Sequence, residues 1–396
     1  MLPSDIPLEF VIFGATLLGV ALFHHHTLAV AVCGLVAVLL FQYAQSQSLT
    51  GIATHFGHEW VVLANLLLLL LGFAILSNQF ERSNLPVAIP SKLPQGWMGG
   101  VTLLGVIFVL STFLDNIAAA IIGGVVARHV YPDGVTIAFL AAIVSAANAG
   151  GAGSVIGDTT TTMMWISGVS PLELLPGFIG GLGAFAVFAP LAAISQQKRS
   201  RLRIAGEMTP RIDWVRLMIV FGALMTLVVT NVTMNSALPS IGEMAPALGL
   251  GLWGALLVTA PVRAPDWSVL REAVKGALFL VSLVALASLM PVERLPAPST
   301  LSTLGLGFLS AVFDNIPLTA LAINQGGYDW ALLAYAVGFG GSMVWFGSSA
   351  GIALSNLYPE GRSVAKWLRE GWFVPVSYVA GFLLMVAAGV AFTGAT

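Results

Sequence analysis

Residues 111–124 read STFLDNIAAAIIGG, and residues 310–323 read SAVFDNIPLTALAI. Each sets an aspartate beside an asparagine inside an apolar run. The background is a chain of 396 residues that is 57% hydrophobic and 9% charged, with 43 glycines. Soluble domains carry roughly 25% charged residues, so this composition predicts an all-α integral membrane protein with the lipid bilayer as its surroundings. Apolar runs recur along the whole chain, and a helix needs about 20 residues to cross about 30 Å of hydrocarbon. A net charge of −2 argues against nucleic acid as a partner. The single Cys33 excludes an intrachain disulfide. The opening MLPSDIPLEF lacks the positive region of a cleavable signal, so the first run is expected to be a retained crossing.

Runs bounded by Pro, Gly or charge predict crossings near 8–23, 27–44, 59–79, 171–194, 214–233, 245–262, 273–290 and 372–395. The two Asp-Asn regions do not fit that scheme. Residues 99–131 and 300–326 are too long for one straight helix and too short for two crossings, so they read as re-entrant hairpins. Residues 134–168 and 330–358 contain NAGGAGSVIGDTTTT and GFGGSMVWFGSSAG, and they read as crossings with an unwound middle. Irregular backbone at that depth is tolerated only inside protein or along a wet cavity.

Basic residues test the layout, because inner loops should carry the excess of Lys and Arg. With both termini outside, every basic residue except Arg294 falls on or beside an inner loop. Reading either hairpin as a single crossing would spoil this bias. The expected location is the plasma membrane, multi-pass.

The halves also resemble each other. Setting 109–117 on 308–316 matches Leu110/Leu309, Ser111/Ser310, Asp115/Asp314, Asn116/Asn315 and Ile117/Ile316. Farther on, Gly150, Gly151 and Gly157 face Gly340, Gly341 and Gly347, while Asp158 and Thr159 face Ser348 and Ser349. The expected domains are a first repeat at 1–195, a linker at 196–213 containing QQKRSRLR, and a second repeat at 214–396. Each repeat would hold three helices (8–79 and 214–290), a hairpin (99–131 and 300–326), a broken helix (134–168 and 330–358) and a final helix (171–194 and 372–395). An odd number of crossings per half inverts the second relative to the first, a design common among secondary transporters.

Of 18 carboxylates, only Asp115, Asp158 and Asp314 are expected deep in the membrane. A lone aspartate at the centre of a spanning helix costs about 2.5–3.5 kcal/mol. No Lys or Arg is expected at that depth to offset it. Hairpin tips expose helix ends, and the breaks at Gly150, Gly151, Gly153 and Gly157, and at Gly340, Gly341 and Gly347, free backbone carbonyls. Together they form an oxygen cage suited to a hard cation. A carboxylate there can hold a proton or a metal ion, and that competition is a basis for exchange. The alternative is that each aspartate merely caps a broken helix.

FLDNIAAAIIGG with NAGGAGSVIGDTTTTMMWI, then FDNIPLTALAI with GGSMVWFGSSAG, resembles the ion transporter superfamily, and within it the NhaD-type sodium/proton antiporters. The similarity spans both halves. It implies a homodimer in which hairpins and broken helices form a mobile domain sliding against a scaffold of the other helices, an elevator. It also implies one ion site at Asp115, Asn116, Ser154, Asp158 and Thr159, and an inverted counterpart at Asp314, Asn315, Thr319, Ser348 and Ser349. Na⁺ would sit at Asp115, Asn116 and Asp158, with Asp314 and Asn315 as a further pair. Ser348 stands where the first half has Asp158, so the second site carries less charge.

The leading expectation is exchange of Na⁺ or Li⁺ for H⁺, with no enzymatic activity and no cofactor beyond the transported ions. The alternatives are cation-coupled transport of an organic anion such as citrate or a dicarboxylate, or of an oxyanion, and an intramembrane aspartyl protease. The triplet His24, His25 and His26 reads as a solvated turn, and His55, His58 and Glu59 as an outer loop. Trp97, Trp267, Trp367 and Trp372 read as interface anchors, and segments 80–98 and 359–371 as arms along the inner surface.

Overall fold

The computed structural model describes residues 7–23, 26–88, 93–203 and 211–390. Among them there is no β-strand, and helices follow one another through short turns. The chain first runs through α1 (Leu8–Leu22), α2 (Thr27–Ser46) and α3 (Thr50–Glu81). It continues through α4 (Leu85–Ala88), α5 (Trp97–Leu110), α6 (Asn116–Val130), α7 (Ile137–Gly151), α8 (Thr159–Ile166), α9 (Pro171–Leu174) and α10 (Gly177–Arg199). Next come α11 (Trp214–Ser236), α12 (Pro239–Met244), α13 (Ala247–Thr259) and α14 (Val269–Ser288). The last stretch is α15 (Thr300–Ser310), α16 (Asn315–Gln325), α17 (Trp330–Gly340), α18 (Ser349–Leu357), α19 (Val364–Glu370) and α20 (Phe373–Ala387).

These helices gather into two compact units, Met1–Ser83 with Asp213–Leu295, and Asn84–Ile212 with Pro296–Thr396. In the first unit α2 packs on α1 and α14, and α3 on α13 and α14. Helix association in lipid rests on close packing and interhelical hydrogen bonds, and both are present here. Gly249 lies against Leu68, its N–H donates to Asn65 Oδ1 at 3.0 Å, and Trp253 Nε1 donates to the Leu68 carbonyl at 2.9 Å. One end of the unit is polar. Asp213 caps α11 through the N–H groups of Val215 and Arg216, and it pairs with Arg263 at 3.0 Å. Arg82 pairs with Asp266 at 2.6 Å, and Arg216 donates to buried Gln79.

The second unit is built round α7, whose residues are all buried. A helix apolar on every side belongs in a core, and the alanines, glycines and Ser145 of α7 let neighbours come close on all faces. Helices α5, α6, α10 and α18 pack on it. The arrangement is reciprocal, since α6 packs on α18 and α16 on α8. Met164 and Val169 meet Leu318, Ala322, Leu333 and Val337 in one apolar cluster. Tyr335, Phe339 and Tyr378 stack, and Tyr378 Oη donates to the Leu304 carbonyl at 2.8 Å, which ties α20 to α15.

Four described helices are long and apolar enough to cross a membrane: Thr27–Ser46, Thr50–Glu81, Pro171–Arg199 and Trp214–Met234. The count is five if α19 and α20, bent by 59°, form one span. The crossings expected at 8–23 and 245–262 correspond to shorter apolar helices, and that at 273–290 overlaps α14, which ends at Ser288. Two expectations are corrected. His55, His58 and Glu59 are not in a loop, because α3 begins at Thr50 and runs through them. The stretch has no proline, and the roughly 1 kcal/mol that each of Gly51 and Gly57 costs a helix does not interrupt it. The final crossing is also shorter than 372–395, since α20 ends at Ala387 and Gly389 follows at φ 84°. His24 and His25 lie outside the described residues.

Candidate functional site

Both Asp-Asn stretches interrupt a helix in the same way. Helix α5 stops at Leu110, and Asp115 (φ −53°, ψ 141°) starts α6; α15 stops at Ser310, and Asp314 (φ −51°, ψ 140°) starts α16. The glycine-rich breaks match as closely. Asp158 (φ −144°, ψ 143°) starts α8, and Ser348 (φ −142°, ψ 153°) starts α18. Aspartate and serine are preferred at such N-caps because a side-chain oxygen accepts a freed N–H.

Glycine is required where tip and break touch backbone to backbone. A Cβ on Gly150 would collide with the Phe108 carbonyl, and one on Gly340 with the Gly307 carbonyl. A Cβ on Gly157 would collide with the Ser111 carbonyl, and one on Gly347 would lie 2.7 Å from that of Ala311. Gly151 and Gly341 lie against the carbonyls of Gly157 and Gly347 in turn, while Gly153 packs on the ring of Phe178. Ser154 Oγ donates to the Thr112 carbonyl at 2.7 Å, so this residue fastens the first break to the first tip.

A hydrogen-bonded chain runs through the centre of this unit. Asn116 Nδ2 donates to Asn148 Oδ1 at 3.0 Å, and Asn148 Nδ2 donates to Ser342 Oγ at 2.9 Å and to Ser348 Oγ at 3.2 Å. All four residues are buried. Ser348 Oγ also accepts from Gly351 N, so the second break is well satisfied. The first break is not. Asp158 is 1% exposed; its Oδ1 accepts from Thr160 N at 3.1 Å, and its Oδ2 has no partner. The hydroxyl of Thr160, also fully buried, has none either.

The remaining expected residues divide by how occupied they are. Asp314 Oδ1 accepts from Ile316 N at 3.1 Å, and its Oδ2 faces Ser349 Oγ at 3.4 Å. Asp115 is half-buried and makes no side-chain capping bond. Asp158 is within electrostatic reach of both. Thr319 spends its hydroxyl on the Asn315 carbonyl at 2.8 Å, and Asn315 and Thr159 are buried beside the N-caps. Among the described residues no ion pair involves any of the three aspartates, and no group of three or more His, Cys, Asp or Glu gathers as a metal cluster. Any cation held here would be bound by carboxylate oxygens together with neutral amide, hydroxyl and carbonyl oxygens.

Two residues of this network were not expected in it from the sequence. Asn148 connects the first tip to the second break; its signal was the one amide in the run from Ile137 to Gly151, whose other polar side chain is Ser145. Trp367, expected at the interface, is 2% exposed and donates from Nε1 to the Ser342 carbonyl at 3.2 Å. Trp97, Trp267 and Trp372 are exposed.

Among the described residues the chain is all-helical, with several apolar helices and three aspartates at helix N-caps inside one compact unit, and it is an integral membrane transporter by class. The sequence profile described as Citrate transporter matches residues 11–340, and the chain belongs to that family. Similar curated proteins include "Sodium/proton antiporter 1" of Arabidopsis thaliana, 31% identical over 65% of this chain and 50% of that protein. "Na(+)/H(+) antiporter NhaD" of Vibrio parahaemolyticus is 26% identical over 81% of this chain and 89% of its own length. The protein of the same name from Alkalimonas amylolytica is 26% identical over 84% and 78%. The chain thus spans about half the length of the Arabidopsis relative. Within the ion transporter superfamily its similarity is to the NhaD-type antiporters.

Proposed function

We propose that this protein exchanges Na⁺ or Li⁺ for H⁺ across the plasma membrane, with Asp158 as the group that the two ions share. The observation that carries the reading is the unpartnered Oδ2 of a carboxylate that is 1% exposed and has no Lys or Arg ion pair among the described residues. Leaving a buried polar group unsatisfied costs about 1–3 kcal/mol, and more when it is charged. A proton or a desolvated cation removes that penalty, and one carboxylate cannot hold both. Binding of either species therefore expels the other. Asp115 and Asp314 add negative potential around the site, and Asn116, Ser154, Thr159, Asn315 and Ser349 add neutral oxygens.

Every expected ion-site residue belongs to one compact unit, which supports movement of that unit as a body in an elevator cycle. The matched N-cap geometries support two inverted repeats, with the α5/α6 and α15/α16 pairs as re-entrant hairpins. In this reading both termini face outward and the protein works as a homodimer. The names of the antiporter relatives agree with the chemistry. The family's description favours a second reading, cation-coupled transport of an organic anion. It has weaker physical support, because an anion needs donors, and both amide N–H groups of Asn148 and one of the two of Asn116 are already given to neighbouring side chains.

The test uses everted vesicles with a preformed pH gradient. Added Na⁺ or Li⁺ should collapse the gradient, and Asp158→Asn should abolish the response. An Asp158→Asn protein that still exchanges would remove Asp158 from the mechanism, and sodium-dependent uptake of labelled citrate without proton movement would favour the second reading.

A further inference from the structure

The repeat that pairs Asp158 with Ser348 also pairs Asn148 with Gly338 and Thr160 with Ala350. These pairs cross. Asn148, one helical segment before its own break, sends its amide to Ser348 at the other break. Gly338 stands in the equivalent place on α17 and faces Asp158: a Cβ built on it would lie 3.0 Å from Asp158 Oδ2 and 3.8 Å from Thr160 Oγ1. Where one half presents an amide, the other presents bare backbone. The two oxygens facing that bare spot are both buried and unpartnered.

From this we infer that Gly338 is a specificity-determining residue. Its missing side chain leaves room for a cation seated on Asp158 Oδ2 and Thr160 Oγ1, and the size of that room sets which cation fits. Buried polar atoms in folded proteins nearly always have partners, so two orphans aimed at one place call for a ligand. Both are oxygens, one belongs to a carboxylate, and hard cations favour such donors. The Thr160 hydroxyl lies beside the Asp158 carboxylate without a well-formed hydrogen bond to it, so it is placed to serve as the second oxygen of the seat. A side chain at 338 would fill the seat. An alanine would narrow it by one methyl group against a carboxylate already fixed by its cap, favouring the smaller Li⁺ over Na⁺. An asparagine would do for Asp158 what Asn148 does for Ser348, tying up Oδ2.

The inference rests on the proposed cation exchange. Its test is the apparent affinity for Na⁺ and Li⁺ in everted vesicles, together with the rise in melting temperature that each ion gives the purified protein. Gly338→Ala should weaken Na⁺ by roughly tenfold in half-saturation with maximal rate nearly kept, and weaken Li⁺ much less. Its Na⁺-induced thermal shift should shrink in parallel. Gly338→Asn should lose both ion responses. If Gly338→Ala fails to fold, Thr160→Val keeps the shape, removes one oxygen, and should give a comparable loss of Na⁺ affinity. Wild-type vesicles with no Na⁺- or Li⁺-driven proton movement would end the exchange reading itself. Wild-type exchange with unaltered ion affinities in Gly338→Ala, or in Thr160→Val where the first does not fold, would overturn this inference alone.

Discussion

The two helix breaks have nearly the same backbone and opposite chemistry. Asp158 and Ser348 sit at N-caps whose φ and ψ differ by 10° or less, and glycines let a tip carbonyl approach each break. Yet the serine is saturated by Gly351 N and Asn148, while the aspartate keeps one oxygen free beside Gly338. One backbone design therefore serves two purposes. The second break is a fixed, neutral joint, and the first is a binding group held in an equivalent joint.

The hardest test of this contrast exchanges the two side chains. In the double variant Asp158→Ser with Ser348→Asp the carboxylate moves to the satisfied break, where the Asn148 amide already waits for it. Proton-coupled Na⁺ movement should fall by at least about 100-fold, the scale of losing one group on which the process depends. Retained exchange would mean that the breaks are chemically interchangeable.

A second test concerns what the breaks share. Gly150→Ala and Gly340→Ala each drive a methyl group into a carbonyl, and overpacking of this kind costs about 1–3 kcal/mol or more. Both variants should lower the melting temperature of purified protein by similar amounts; a large effect at only one of them would break the structural equivalence. Next in size is Ser348→Ala, which removes a cap worth about 1 kcal/mol and one partner of Asn148. It should reduce stability while leaving ion affinity within a few-fold of wild type, in contrast to any change at Asp158.

The smallest effect belongs to the carboxylates of the other unit, which do have basic partners. Some desolvation opposes the shift at Asp213, but the guanidinium of Arg263 and the N–H and charge of Arg216 hold it below the usual carboxylate range. Asp266 is held low by the hydroxyl and N–H of Ser268 and, more weakly, by Arg82. Their stabilisation is fully present above the unfolded value of about 3.9, and it fades as pH falls through the lower folded values. These groups are solvent-exposed, so salt screens them. Arg263→Gln should leave exchange at neutral pH intact and lower the melting temperature slightly, with the difference vanishing in strong acid. A large change in exchange would show that this polar end belongs to the transport machinery.

Much of this was legible in the sequence because membranes enforce simple rules. Apolar runs marked the helices, and each Asp-Asn pair in an apolar run marked the interruption between α5 and α6 and between α15 and α16. Less legible were features decided by tertiary packing. Nothing local says that Asn148 would bond across to Ser348, because that contact joins residues far apart in the chain. Trp367 read as an interface anchor for the same reason: the helix turn that buries it against Ser342 is a product of the fold. The start of α3 at Thr50 was hidden by polar residues and two glycines, which weaken a helix without stopping it.

The account depends on a proton and a cation displacing each other at Asp158. Calorimetric titration of Na⁺ into purified protein, repeated in buffers of different ionisation heat, counts the protons released on binding. The account predicts net proton release by the wild type, and neither release nor measurable Na⁺ binding by Asp158→Asn. Na⁺ binding with no proton release, or binding of equal strength in Asp158→Asn, would contradict it.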